Sequence, residues 1–182
     1  LVERARHTPR VTATALKAMQ DSGEDLAILD GRTFAEFQRM CIPGGISCPN
    51  GELALHIRQF AYDPKTKIVV NCAGRTRSII GAQTLIDFGV PNPVYALENG
   101  TQGWFLAGLQ LDYGAGRRYG EPPAPAEIGA LRELRERARA LATARGVRFV
   151  SVAEVERWLV EPSRTTYLFD VRTPEEVAAV AV

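Results

Sequence analysis

The sequence predicts an α/β fold, a parallel β-sheet with helices on both faces. Two observations lead there. Short apolar runs alternate along the chain with segments of helical spacing, the pattern of strand–helix–strand units. The runs themselves, Leu26-Ala27-Ile28-Leu29 above all, are apolar at every position, which marks strands covered on both faces. Ligands in such folds bind outside the carboxyl ends of the strands.

In chain order, Thr12 or Thr14 can cap a helix that carries Leu16 and Met19 and ends near Gly23. The run 26–29 reads as a buried strand that stops at Asp30. Residues 33–39 fit one or two helical turns, closed by Ile42-Pro43-Gly44-Gly45. In 52–60, Leu53, Ile57 and Phe60 fall on one helical face. Asp63-Pro64 makes a turn, and Lys67-Ile68-Val69-Val70-Asn71 is the clearest strand in the chain. A helix over 78–88 is closed by Gly89 and Pro91, and 93–97 is another buried strand. Beyond Gly114 the composition shifts. Glu121-Pro122-Pro123-Ala124-Pro125 reads as a stiff linker. It leads into an Ala/Leu/Arg/Glu helix over 126–145, stopped by Gly146, with an apolar stripe of Ile128, Leu131, Leu134, Ala138 and Leu141. Its arginines read as the solvated face of a helix docked on its own protein, in preference to a partner- or phosphate-binding surface.

The chain then repeats itself. Leu29-Asp30-Gly31-Arg32-Thr33-Phe34-Ala35-Glu36-Phe37 lines up with Phe169-Asp170-Val171-Arg172-Thr173-Pro174-Glu175-Glu176-Val177. Both segments are expected to follow an apolar strand, and both come after a capped helix, at Val11-Thr12 and at Val150-Ser151. The expected organisation is an α/β unit over 1–115, a linker with an amphipathic helix over 116–146, and the start of a second unit over 147–182. Cut off from the rest of its fold, that last segment should expose apolar surface. Leu1 in place of Met suggests a piece of something longer.

Composition narrows the function. A net charge of +1 argues against a dedicated nucleic-acid surface, and no apolar run approaches the roughly 20 residues of a bilayer helix. Three cysteines do not make a disulfide framework, which favours a reducing, cytoplasmic setting. No Cys-x-x-Cys pair exists, and His7 and His56 lack ligand spacing, so neither metal nor cofactor is expected. Cys41 and Cys48 read as small buried hydrophobes.

Cys72 is different. It follows the strand at Asn71 and precedes Ala73-Gly74-Arg75-Thr76-Arg77-Ser78 and a helix. Strand–loop–helix places successive backbone N–H groups and a helix N-terminus around one concavity, an anion cradle. A thiol there, beside Arg75 and Arg77, should ionise readily, and the thiolate is the strong nucleophile. A Cys–His hydrolase lacks a histidine close in sequence, although the fold could bring His56 nearer. A buried structural cysteine is the plainer reading, but it leaves the two arginines unexplained.

At these residues the chain resembles the rhodanese family. Cys72, Arg77 and Ser78 match the family's C-x-x-G-x-R-S loop, with glycine one position early at Gly74. Asp30-x-Arg32-x-x-x-Glu36-Phe37 resembles its D-x-R-x-x-x-E-aromatic signature. Ile42-Pro43-Gly44-Gly45-Ile46 resembles its H-I-P-G-A-I turn, with Cys41 in place of histidine. Leu97-Glu98-Asn99-Gly100, then Trp104, Ala107 and Gly108, resembles L-x-G-G-x-x-x-W-x-x-A-G, where Asn99 suits a positive φ. The resemblance covers about residues 10–112 and implies a rhodanese-like domain over 1–115, with a second begun at 147–182.

It further implies sulfur transfer. Cys72 would take a sulfane sulfur from a small anionic donor such as thiosulfate and pass it, as a persulfide, to a thiol or cyanide acceptor. Ala73, Gly74, Arg75, Thr76, Arg77 and Ser78 would form the substrate-binding loop. Arg75 is favoured for the donor's charged end, while Arg77 either binds substrate or braces the loop. Asp30, Arg32 and Glu36 look structural, and Trp104 a pocket wall or core anchor. Other rhodanese-like domains of the full-length chain would be partners. Two alternatives stand beside this, a non-catalytic regulatory or binding module and a Cys-dependent phosphatase. Phosphatase loops read C-x5-R, whereas Cys72 to Arg77 is C-x4-R.

Overall fold

The computed structural model describes residues 5–120, 128–172 and 174–180. The proposed linker at 121–125 therefore lies outside the described residues, as does Thr173 of the repeat. The chain falls into two compact units, Leu1–Leu141 and Ala142–Val182.

The first unit is built on a five-stranded, wholly parallel sheet in the order β1-β5-β4-β2-β3. The strands are β1 (Arg10–Val11), β2 (Leu26–Asp30), β3 (Ile46–Ser47), β4 (Lys67–Asn71) and β5 (Val94–Leu97). Between them run α1 (Ala13–Asp21), α2 (Phe34–Arg39), α3 (Leu53–Phe60) and α4 (Thr76–Phe88), with α5 (Gly100–Leu106) after β5. The central strands are covered on both sides, and successive side chains go to opposite faces. Ala27, Leu29, Ile68 and Val70 pack with Leu53 and Ile57 of α3 and Ala82 and Leu85 of α4. Ile28 and Val69 pack on the other side with Leu16 of α1 and Trp104 of α5.

Local chemistry sets the helix ends. Thr12 is the cap of α1, accepting from the Ala15 N–H at 3.2 Å. Thr33 and Glu36 form a reciprocal capping box on α2. Gly89 closes α4 in the left-handed conformation, with φ of 78°. The helix expected from about residue 78 begins instead at Thr76, two residues closer to Cys72. The two-residue strands β1 and β3 carry too little pattern to read from sequence, and α5, which opens on Gly100 and carries Gly103, has no clear helical pattern either. Residues 116–120, expected to belong to the linker, run back along β3: Ser47 donates to the Arg117 carbonyl at 3.0 Å, and Tyr119 donates to the Ser47 carbonyl at 3.1 Å. The helix α6 (Ile128–Ala144) follows, with Leu131 and Leu134 half-buried and Arg137 5.5 Å from the Phe88 ring centroid.

The second unit holds α7 (Val152–Leu159) and α8 (Pro174–Val180). Ser151 and Glu154 form a capping box like that of Thr33 and Glu36. Arg172 meets Asp170 through backbone N, Nε and Nη2 at 3.0, 3.0 and 2.7 Å. Arg32 meets Asp30 through the same three groups at 3.1, 2.8 and 2.7 Å. The strand expected before Asp170 does not form: among the described residues Tyr167, Leu168 and Phe169 are exposed and unpaired in any sheet. A strand needs a neighbour for its backbone groups, and this unit supplies none. Among the described residues no helix is long and apolar enough to cross a membrane.

Leu29 is wholly buried in the centre of the sheet. Leu29→Ala should destabilise the protein by about 2–5 kcal/mol, read from urea unfolding of both proteins. A loss well under 1 kcal/mol would contradict the packing described here.

Candidate functional site

The site forms where β4 ends. Cys72, Ala73, Gly74 and Arg75 link Asn71 to Thr76, the first residue of α4. The N–H groups of a helix's first turn have no partner within the helix, so β4 delivers Cys72 to a natural anion-binding position. Neighbouring segments hold the loop. Thr101 donates from its backbone N and its Oγ1 to the Cys72 carbonyl, at 2.8 and 3.1 Å. The Gln102 N–H donates to the Ala73 carbonyl at 3.0 Å. Gly100, at φ of 53°, permits this approach, since a Cβ there would collide with the Cys72 carbonyl. Asn99, at φ of 56°, has the positive φ expected of it. Ser78 is fully buried, with its Oγ 2.8 Å from the Arg75 carbonyl and 3.3 Å from that of Leu97.

The two loop arginines go different ways. Arg77 grips Glu36 through two bonds, Nη1 to Oε2 at 2.9 Å and Nη2 to Oε1 at 2.7 Å. Its guanidinium holds the Glu36 carboxyl down at about 2. In return Glu36 raises the Arg77 pKa, and Cys72 adds a smaller contribution in the same direction. Arg75 is exposed and lines a cavity of about 130 Å³ with Arg10 and Glu98.

A larger cavity of about 410 Å³ opens on the other side of the loop. Ala73, Thr101 and Gln102 form its wall next to Cys72. Arg32, Glu36, Arg39 and Met40 come from the β2–α2 region, and Phe105, Leu111 and Tyr113 from α5 and the segment after it. Of the loop residues singled out from sequence, Ala73 alone lines this cavity. Cys72 is 2% exposed, Gly74 is half-buried and Thr76 faces solvent. Arg39, Phe105 and Tyr113 escaped the sequence reading, because nothing local marks them and only the fold gathers them. Trp104, expected as a pocket wall or a core anchor, is buried in the core, and its Nε1 donates to the Gln110 carbonyl at 2.8 Å.

Asp30 and Arg32 form a buried ion pair. Asp30 also accepts from Asn71 Nδ2 at 2.8 Å, and Arg32 donates to the Met40 carbonyl at 2.7 Å. Cys41 and Cys48 are completely buried. Burial raises both thiols, Cys48 to about 12 and Cys41 against the opposing pull of Arg117. His56 lies 3.4 Å from Glu52 and packs on Tyr119, with ring centroids 4.5 Å apart. It does not line the cavity beside Ala73. Among the described residues no cluster of His, Cys, Asp and Glu is arranged to hold a metal ion.

The family model of the rhodanese-like domain matches residues 12–107. The chain belongs to the rhodanese-like domain family. The thiosulfate sulfurtransferase of Pseudomonas aeruginosa has a TM-score of 0.89 and is 50% identical, over 98% of this chain and 33% of that one. A Rhodopseudomonas palustris protein of unknown function, described as a possible tyrosine phosphatase, has a TM-score of 0.52 at 32% identity, over 61% of this chain and 90% of that one. An HTH-type transcriptional regulator of Mycobacterium tuberculosis is 31% identical over 111 residues, 61% of this chain and 48% of that protein. The rhodanese-like chain spans less than half the length of the curated relatives it matches.

The Arg77–Glu36 pair links the loop to α2 and should be visible in stability. The Glu36 carboxyl is depressed from 4.5 to about 2 in the fold. Its stabilising contribution is therefore complete above about pH 4.5 and is lost as pH falls through about 2. Both side chains are more than a third exposed, so the contribution is at most about 1 kcal/mol. Urea unfolding of wild type and Glu36→Gln should show a gap at neutral pH that closes toward pH 2. A gap independent of pH would exclude the ion pair as its source.

Proposed function

We infer that this chain is a sulfurtransferase that carries sulfur on Cys72. The observation that carries the reading is the position of Cys72, at the carboxyl end of the central strand, against the N-terminal turn of α4 and beside a 410 Å³ cavity. Its likeness to the Pseudomonas aeruginosa thiosulfate sulfurtransferase over 98% of its length supports the same reaction. The Cys72 thiolate attacks the outer sulfur of a donor such as thiosulfate. The donor's S–S bond breaks, its electron pair leaves with sulfite, and a persulfide remains on Cys72. A thiol or cyanide then attacks the outer persulfide sulfur and restores the thiolate, a two-step covalent exchange.

The chain's own groups have defined tasks in this scheme. The free N–H groups of residues 76–78, at the start of α4, stabilise the persulfide anion. Thr101 and Gln102 fix the carbonyls of Cys72 and Ala73 and so orient the loop. Arg77 braces the loop against Glu36. That commitment to Glu36, together with the C-x4-R spacing, speaks against a phosphatase, whose arginine must hold the phosphoryl group.

A regulatory rhodanese-like module is the second reading, favoured by the low exposure of Cys72 and by the match to a transcriptional regulator. Intact-protein mass spectrometry under non-reducing conditions separates the two. After incubation with thiosulfate, wild type should gain the mass of one sulfur atom, cyanide should remove it, and Cys72→Ala should show no gain. A wild-type protein that gains no sulfur from thiosulfate or mercaptopyruvate would favour the regulatory reading.

A further inference from the structure

The first turn of α4 is tied down by a residue that lies outside the Cys72 loop. Asn50, just after β3, donates from Nδ2 to the Arg77 carbonyl at 2.9 Å. Its backbone N–H donates to the Gly31 carbonyl at 3.3 Å, so this one residue bridges α4 and the turn after β2. The Oδ1 atom is buried and has no hydrogen-bond partner among the described residues. A buried amide oxygen without a donor is destabilising, so its retention here marks a constraint other than stability.

Two glycines make room for this carboxamide. A Cβ at Gly31 would stand 2.0 Å from Asn50 Oδ1, and one at Gly81 would stand 2.5 Å from the same atom. The turn after β2 does not itself need glycine. Gly31 lies outside the left-handed region, and the same three Asp-x-Arg bonds form around Val171 in the second unit. What excludes a side chain at position 31 is therefore Asn50.

On the strength of the sulfur-transfer reading, we propose that Asn50 is a positioning residue for the reaction at Cys72. By holding the Arg77 carbonyl it fixes the first turn of α4, and with it the N–H groups of residues 76–78 that face the transferred sulfur. Arg77 is then held twice, through its side chain by Glu36 and through its carbonyl by Asn50. Asn50 does not line the larger cavity; it acts through the helix start.

The test is single-turnover loading of Cys72 from saturating thiosulfate, which leaves its outer sulfur on the protein and departs as sulfite. Quenched samples of wild type, Asn50→Ala, Gly31→Ala and the double variant are read by intact-protein mass spectrometry. The rate constant does not depend on the fraction of protein that is folded, whereas the amplitude does. A merely structural role would therefore lower the amplitude alone. Asn50→Ala should lower the rate constant by about tenfold, near the limit for loss of one uncharged hydrogen bond. Its thermal midpoint should stay close to that of wild type, because the truncation also removes the unpaired oxygen. Gly31→Ala should slow loading to the same degree, since its methyl group displaces the carboxamide. In the double variant that methyl enters the space Asn50 left, and the rate constant should equal that of Asn50→Ala. A rate constant within twofold of wild type in either single variant, or a multiplied loss in the double variant, overturns the positioning role while sulfur transfer stands. A wild-type protein that takes up no sulfur overturns both.

Discussion

The buried carboxylate of Asp30 ties the carboxyl ends of β2 and β4 to the residues around Cys72. Its Oδ1 accepts from the Arg32 backbone N and Nε, and its Oδ2 accepts from Arg32 Nη2 and Asn71 Nδ2. From Arg32 the network continues to the Met40 carbonyl, in the wall of the larger cavity. Asn71 Nδ2 also reaches Thr101 Oγ1 at 3.0 Å, and Thr101 holds the Cys72 carbonyl. One charge thus connects three loops that meet at the site. A buried pair of this kind is a weak source of net stability but a strong geometric constraint, because losing one partner strands a charge at a cost of about 3–5 kcal/mol.

Around this network, charge is used sparingly. Two of the arginines around Cys72 and its cavity are engaged by carboxylates, Arg32 by Asp30 and Arg77 by Glu36. Their role is to fix the positions of β2, α2 and the loop, and they leave little field for a ligand. At the Cys72 loop the start of α4 offers backbone dipoles that need no counter-charge. The rest of the cavity wall is largely apolar, with Met40, Phe105, Leu111 and Tyr113.

The Asp170–Arg172 pair of the second unit shows how far local sequence carries. It reproduces the three bonds of Asp30–Arg32 closely, because the Asp-x-Arg turn folds on itself within three residues. Asp30 and Arg32 are almost wholly buried, whereas both side chains of the second pair are over 40% exposed. The same geometry therefore matters less there, since exposed pairs contribute only about 0–1 kcal/mol. Local bonds form from sequence alone; the strand that should precede them waits on a neighbour.

Much of the first unit was legible in the sequence for that same reason. Continuous apolar runs identified β2, β4 and β5, a capping threonine located α1, and Gly89 marked the end of α4, since both signals act over a few residues. The junction of Asn71 with Cys72 and the following helix could be read in this way too, as could the positive φ of Asn99. The cavity could not. Arg39 lies far along the chain from Phe105 and Tyr113, and the three carry no shared motif; they meet only because the sheet brings α2, α5 and the segment after it to one edge. The linear reading left open whether Arg77 braces the loop; tertiary packing placed it on Glu36 and left Arg75 lining the smaller cavity with Arg10 and Glu98. Backbone propensities and short-range bonds are encoded locally, whereas the wall of a binding site is a property of how distant segments pack.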